Sequence, residues 1–188
     1  MTQVHHHELS GVIEFTPPKY GDHRGFFSEV FKQSVLDAEG VEARWVQDNQ
    51  SFSAQPGTIR GLHLQAPPFA QAKLVRVLRG AIFDVAVDIR RGSPTYGRWV
   101  GVELSAEKWN QLLVPAGYAH GFMTLVPDCE ILYKVSARYA KDEEMAIRWD
   151  DPDLAIAWPD IGVAPVLSEK DAVAPSFADF NTPFFYQG

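Results

Sequence analysis

Phe83, Val85, Val87 and Ile89 alternate with Asp84, Ala86, Asp88 and Arg90, the two-residue period of a strand with two unlike faces. Val100, Val102 and Leu104 repeat the alternation, as do Ile131, Tyr133 and Val135. Turn signals at Arg79-Gly80, Gly92-Ser93-Pro94, Pro115-Ala116-Gly117 and Pro127-Asp128 separate these runs. Their spacing predicts a sandwich or barrel of many short antiparallel strands. Upstream, Val4, Leu9, Val12, Ile13 and Phe15 read as one strand interrupted near Ser10-Gly11, and Pro17-Pro18 with Tyr20-Gly21-Asp22 as a turn. Lys32 to Glu39 is expected to be helical, stopped by Gly40. Ser105 to Gln111 predicts one helical turn at most, capped by Ser105. After Trp149 aspartate and proline break the pattern (DDPDLAIAWP), so the remainder is expected to wrap the same domain as loops.

Composition narrows the class. At 188 residues, 46% of them hydrophobic and 12% aromatic, the chain suits one globular domain spanning 1–188. No apolar run is long enough to span a membrane, and the N-terminus lacks the order of a signal peptide, so a cytoplasmic location is expected. Cys129, the only cysteine, cannot form an intramolecular disulfide, which agrees with a reducing compartment. A net charge of −7 disfavours nonspecific binding to nucleic acid or to an acidic membrane. An anionic ligand would have to be held by a local cluster of cations. His5, His6 and His7 resemble an affinity-tag fragment or an incidental chelator and carry little functional weight, because consecutive strand residues point to alternate faces and cannot converge on one site.

The stretch GTIRGLHLQAPPFAQAK, residues 57–73, collects Arg60, His63, Gln65 and Lys73 in an otherwise apolar strand-turn-strand pattern. Imidazole titrates nearest neutrality, so a histidine flanked by fixed cations is a credible base for an anionic substrate. In a regular strand Arg60 and His63 would point to opposite faces; Gly61 between them predicts a bulge or kink that gives them a common direction. Pro67-Pro68 and Phe69 are expected to form a loop bordering the mouth of the site. Further on, PAGYAHGF at 115–122 resembles the second metal motif of cupins, with His120 in the ligand position. The first cupin motif asks for His-x-His and a nearby glutamate, whereas this chain has His63-Leu64-Gln65 followed by Lys73. An ammonium has no lone pair to offer and an amide oxygen is a poor ligand for iron, manganese or zinc, so the pattern points to metal-free proton transfer.

Eight segments in order then match one family: GDHRGFFSEVF, VQDNQSFS, RGLHLQ, the block KLVRVLRGAIFDVAVDIRRGSPTYGRWVGVEL, LLVPAGYAHGF, LYKVSARY, IRWDDPDLAIAWP and LSEKDAVAP. Over nearly its whole length the chain is similar to the dTDP-4-dehydrorhamnose 3,5-epimerases. That resemblance implies an all-β, cupin-like jelly roll with a few short helices. It implies a homodimer with an exchanged N-terminal strand, no cofactor, and a dTDP-linked 4-keto-6-deoxy sugar as substrate. By the same resemblance His63 is the base, Asp171 orients it, Tyr133 is the acid on the opposite face, and Lys73 stands beside the developing oxyanion. Arg24 and Arg60 match diphosphate contacts, while Glu29, Gln47, Asp48, Asn49, His120, Glu144 and Lys170 match nucleotide or sugar contacts. Tyr139 matches the ring stacked on thymine, with Phe26 beside it.

Three alternatives stay open at this level. An epimerase inverting only C3 or only C5 would share His63, Lys73 and Tyr133, because the difference lies in how the sugar is posed. A metal-dependent cupin enzyme would be revealed by stoichiometric bound metal. A noncatalytic sugar-nucleotide binding module would tolerate loss of His63.

Overall fold

The computed structural model describes residues 1–187. In chain order its elements are β1 (Gln3–His6), β2 (Ile13–Thr16), β3 (Tyr20–Asp22), β4 (Gly25–Phe27), α1 (Gln33–Ala38), β5 (Gln47–Ser53) and β6 (Ile59–Gln65). There follow β7 (Lys73–Arg79), β8 (Ala81–Asp88), β9 (Trp99–Ser105), β10 (Gln111–Val114), β11 (Tyr118–Thr124), β12 (Cys129–Val135), β13 (Glu144–Ala146) and α2 (Glu169–Ala172). A six-stranded sheet runs β1-β2-β10-β7-β12-β5, a five-stranded sheet runs β13-β6-β11-β8-β9, and β3-β4 stands apart as a hairpin. The strand pairings within each sheet are antiparallel. The antiparallel sandwich expected from the alternation is therefore what the chain builds, and it agrees with the all-β, cupin-like fold that the resemblance implies.

Between the sheets lies a core of Val75 and Val77 from β7, Ile82 and Ala86 from β8, Val102 and Leu104 from β9, and Ile131 from β12. A second core covers the back of the five-stranded sheet, where Leu62, Leu64, Val85, Val87 and Ala119 meet Ile147, Leu154 and Phe180 from the C-terminal third. A third packs Leu36 of α1 on Ile13, Phe15, Leu74 and Leu113. Burying all three apolar faces is what holds such short strands together, at roughly 25 cal/mol per Å² of apolar surface removed from water.

Several expectations change in detail. Residues 3–16 form two strands paired as a hairpin (Gln3↔Thr16, His6↔Ile13), because the break at Ser10-Gly11 is a reversal. The Tyr20-Gly21-Asp22 segment is one arm of the β3-β4 hairpin, with the turn at His23-Arg24. The 105–111 segment is a turn: Ser105 Oγ accepts from Lys108 N at 3.0 Å, as a cap does, but Gln111 already belongs to β10. The helix at α1 ends where expected, with Gly40 at φ 72°. In the C-terminal wrap the short helix α2 was not legible. The largest change concerns β8. Its apolar row, Val85 and Val87, faces the C-terminal wrap, while the row carrying Asp84 and Ala86 faces the interior, so Asp84 and Asp88 are both fully buried. A strand buried on both sides hides polar residues as readily as apolar ones when they find partners.

The kink predicted at Gly61 is present. His120 pairs with His63 and Phe122 with Arg60, so two residues' advance along β11 faces three along β6. Gly61 sits at φ 134°, and a Cβ there would come within 2.5 Å of Gly121 Cα and 2.8 Å of the His120 carbonyl oxygen. Only glycine allows the two backbones this approach. Gly61→Ala is expected to destabilise the fold by about 3 kcal/mol or more, since left-handed strain and a backbone clash add. Chemical denaturation checks it; a loss below about 1 kcal/mol would show that the bulge relaxes freely.

Candidate active site

The interior faces of the two sheets diverge away from the core and leave a cleft with two lobes. One lobe, about 420 Å³, is bordered by Ile59, Arg60, His120, Phe122, Lys170 and Asp171 among others. The other, about 270 Å³, is bordered by Gln47, Asn49, Gln65, Gln71, Tyr139 and Glu144. His63, Lys73 and Tyr133 are the three side chains that line both lobes. His63 comes from β6 in the five-stranded sheet, and Lys73 and Tyr133 from β7 and β12 in the six-stranded sheet. Imidazole and phenol thus face the cleft from opposite walls.

Each wall is built by strand alternation. On β5 the inward row is Gln47, Asn49, Ser51 and Ser53, and the outward row is Asp48, Gln50 and Phe52. Asp48 accordingly points away from the cleft, where its carboxylate accepts from Lys134 Nζ at 2.9 Å. Ser53 and the Phe52 carbonyl hold the Arg60 guanidinium (3.3 and 3.1 Å), and the Gly61 bulge aims Arg60 into the same lobe as His63. Gln65 is spent on structure: its amide donates to the Phe69 and Arg138 carbonyls (2.9 and 3.1 Å) and its oxygen accepts from Ala140 N at 2.7 Å. These contacts tie the Pro67-Pro68 loop to the segment that leads into β13. Gln65 Oε1 is therefore already engaged at the position where a cupin would place its second imidazole. Among the described residues no three His, Cys, Asp or Glu side chains cluster as a metal-binding group.

His63 Nε2 lies 2.6 Å from Asp171 Oδ1. A nitrogen facing a carboxylate carries the ring proton, which leaves Nδ1 with the lone pair a base requires. Asp171 is 4% exposed and is delivered by α2, whose cap is Ser168: Ser168 Oγ accepts from Asp171 N at 3.1 Å. Burial pushes the Asp171 carboxyl up, but hydrogen bonds from His63 and Ser168 hold it below its ordinary value. Lys73 Nζ donates a long bond, 3.4 Å, to the His63 carbonyl. Burial brings its ammonium down to about 8, against the pull of Asp84 and Glu144. Burial likewise raises the Tyr133 phenol, so Tyr133 keeps its proton at neutral pH. At the rim Glu144 accepts from Tyr139 OH at 2.9 Å and forms an ion pair with Lys170; burial pushes its carboxyl up, and these partners hold it below the ordinary range. A cleft with a base on one wall, an acid on the other and an ammonium between them can take a proton from carbon and return it on the opposite face.

The residues singled out in the sequence separate into two groups. His63, Lys73, Tyr133, Asp171, Arg60, His120, Lys170, Gln47, Asn49, Tyr139 and Glu144 meet at the cleft. Asp48, Arg24, Phe26 and Glu29 do not: Asp48 lies on the outward row of β5, bound to Lys134. Arg24 pairs with Asp22 within the β3-β4 hairpin, Phe26 packs edge-on against Trp109 at 4.9 Å, and Glu29 faces Lys32 at 3.4 Å. Asp84, Ser53 and Ser168, which support His120, Arg60 and Asp171, were missed. For Asp84 the alternation showed only that it shares a row of β8 with Ala86; that this row faces the interior emerges from the packing.

Residues 6–179 match the family profile described as dTDP-4-dehydrorhamnose 3,5-epimerase. The dTDP-4-dehydrorhamnose 3,5-epimerase of Sinorhizobium fredii is 55% identical over 170 residues, 90% of this chain and 87% of the relative. Among solved structures, the dTDP-6-deoxy-D-glucose-3,5-epimerase of Legionella pneumophila in complex with dTDP-4-keto-L-rhamnose superposes with a TM-score of 0.95 at 42% identity, over 100% of both chains. A 3'-monoepimerase of Streptomyces bikiniensis in complex with dTDP-quinovose superposes at 0.84 with 39% identity, covering 92% of this chain and 88% of that one.

Proposed function

Since the chain belongs to the dTDP-4-dehydrorhamnose 3,5-epimerase family, we propose that it converts dTDP-4-dehydro-6-deoxy-α-D-glucose to dTDP-4-dehydro-β-L-rhamnose. The observation that carries this reading is the meeting of His63, Lys73 and Tyr133 at the junction of the two lobes. The C4 ketone acidifies the hydrogens on C3 and C5. His63 removes such a proton and shares the resulting charge with Asp171, Lys73 holds the enolate oxygen, and Tyr133 returns a proton from the other wall. Lys73 supplies the positive charge near that oxygen, so the proposed step calls on no cofactor. Arg60 suits the diphosphate, because a planar guanidinium can bond two of its oxygens. Gln47, Asn49, His120, Tyr139, Glu144 and Lys170 are assigned to the sugar and nucleotide.

We read residues 1–188 as one domain working in the cytoplasm; no helix among the described residues is long and apolar enough to cross a membrane. We also assign a homodimer with exchanged N-terminal strands. Two features support it: β1 is an exposed edge strand, and the exposed Arg24, Phe26 and Glu29 lie outside the cleft of their own chain, on a face that a partner could reach. Sedimentation at the mass of a single chain would contradict this assembly.

The deciding experiment follows the substrate by NMR in deuterated water. Deuterium entering both C3 and C5 supports the double epimerase, and label at one carbon selects the single-carbon reading that the Streptomyces bikiniensis enzyme represents. Tyr133→Phe separates the two half-reactions. It is expected to keep washout of the proton that His63 removes while inverted product falls by about 10²-fold. Equal loss of washout and product would remove Tyr133 from the acid role.

A further inference from the structure

Behind the cleft His120 Nε2 lies 2.8 Å from Asp84 Oδ1, and Asp84 is fully buried. This pair repeats the His63–Asp171 arrangement one strand away, because His120 and His63 are register partners on β11 and β6. The two pairs differ in their surroundings. His63 and Asp171 sit at the open lobe, whereas His120 and Asp84 are enclosed, and Asp84 Oδ2 is buried without a hydrogen-bond partner among the described residues. A buried carboxylate oxygen left in this state is costly unless a cation compensates it. Lys73 is the cation on which Asp84 acts, and it reaches the same β6 position, donating to the His63 carbonyl.

We infer that Asp84 is a positioning residue for the proposed epimerisation, fixing the His120 ring with its proton on Nε2 and providing the buried counter-charge to the Lys73 ammonium. The inference rests on the epimerase reading for its chemistry and on Asp84's own contacts for its geometry. The groups that face Lys73 are Asp84 from β8, Glu144 from β13, His120 from β11 and the His63 carbonyl from β6. Of the two carboxylates, Glu144 is already engaged by Lys170 and Tyr139. Asp84 has one oxygen uncommitted. Burial pushes the His120 imidazole down, with Lys73 and His63 adding to it and Asp84 opposing, and the net shift is downward, so the ring is neutral and Nδ1 is its acceptor nitrogen. The cleft wall is thereby given a neutral acceptor at His120 and a held positive charge at Lys73.

The test uses the full chain with ¹³C-labelled lysine, the Lys73 signal being assigned by its disappearance in Lys73→Met. Asp84→Asn keeps the shape and an acceptor for His120 but removes the charge. The Lys73 titration is expected to move down by about one pH unit or more, and the alkaline limb of the turnover profile is expected to move with it. An unchanged Lys73 titration overturns the inference, and so does a uniform loss of turnover with no movement of the limb. If Asp84→Asn does not fold, ¹⁵N shifts of the His120 ring in the unmodified protein decide: Nε2–H with a bare Nδ1 at neutral pH is expected, and the other tautomer or an imidazolium overturns it. Absence of exchange at C3 and C5 in the unmodified protein would sink the epimerase reading alone, because both NMR observables are read without turnover.

Discussion

Replacing His63 with alanine is expected to lower turnover by roughly 10²–10⁴-fold, the usual range for loss of a positioned general base, and to abolish deuterium entry at the sugar carbons. The effect is large because no neighbour can substitute. His120, the other imidazole in the cleft, gives its Nε2 to Asp84, and burial makes it a poorer base. Tyr133 stands on the opposite wall with its proton held. Affinity for dTDP, measured by calorimetry, should change little, since Arg60 is held by Ser53 and Phe52 independently of the imidazole. Loss of the imidazole strands Asp171, 4% exposed, without its partner. A stability loss of about 1–3 kcal/mol is therefore expected alongside the kinetic one. Equal collapse of binding and turnover would assign His63 to the scaffold instead of the chemistry.

Lys73→Met should separate stability from activity. Without the ammonium the enolate oxygen loses its nearest positive charge, and a fall of roughly 10²–10³-fold in turnover is expected, as for removal of one donor from an oxyanion site. In the unmodified protein the rate should fall as pH rises through about 8, where Lys73 gives up its proton. The Met variant should lack that limb. The sign for stability follows from the same shift. Between about pH 8 and the ordinary lysine value of 10.5 the unfolded chain holds a proton that the folded chain has lost, so this group makes stability rise with pH across that window. Below it both states are protonated and the full cost of burying the charge remains, up to about 3 kcal/mol. Lys73→Met removes this cost but leaves the buried Asp84 without its counter-charge, so its denaturant midpoint at pH 7 is expected to stay close to that of the unmodified protein while activity falls far. A variant that loses both together would show that Lys73 supports the fold.

Much of this was written in the chain. Strict alternation in β8, β9 and β12 located the strands, because a strand between a core and any second environment must sort its side chains with period two. The place of Gly61 between Arg60 and His63 announced the bulge, since both side chains can serve one site only if the alternation is broken there. Gly40 marked the end of α1 for the same kind of local reason. His63, Lys73 and Tyr133 stood in motifs whose order matches the family.

Other features were decided only when distant segments met. Alternation shows that β8 has two faces but not which is inside, and the C-terminal wrap claimed the apolar row, turning Asp84 and Asp88 inward. The partnership of His63 with Asp171, which the family resemblance implied but no local pattern showed, joins residues 108 positions apart and depends on a four-residue helix capped by Ser168. So short a helix has no periodic signature of its own. The outward turn of Asp48 and the seclusion of Arg24, Phe26 and Glu29 on or beside a separate hairpin likewise follow from sheet register and topology. By itself the sequence determined the strands, the bulge and the reactive residue types, because backbone sterics and two-residue periodicity act locally. Only the tertiary structure decided that Asp84 backs His120 and which ammonium is buried, because desolvation and charge pairing depend on neighbours that chain order does not specify.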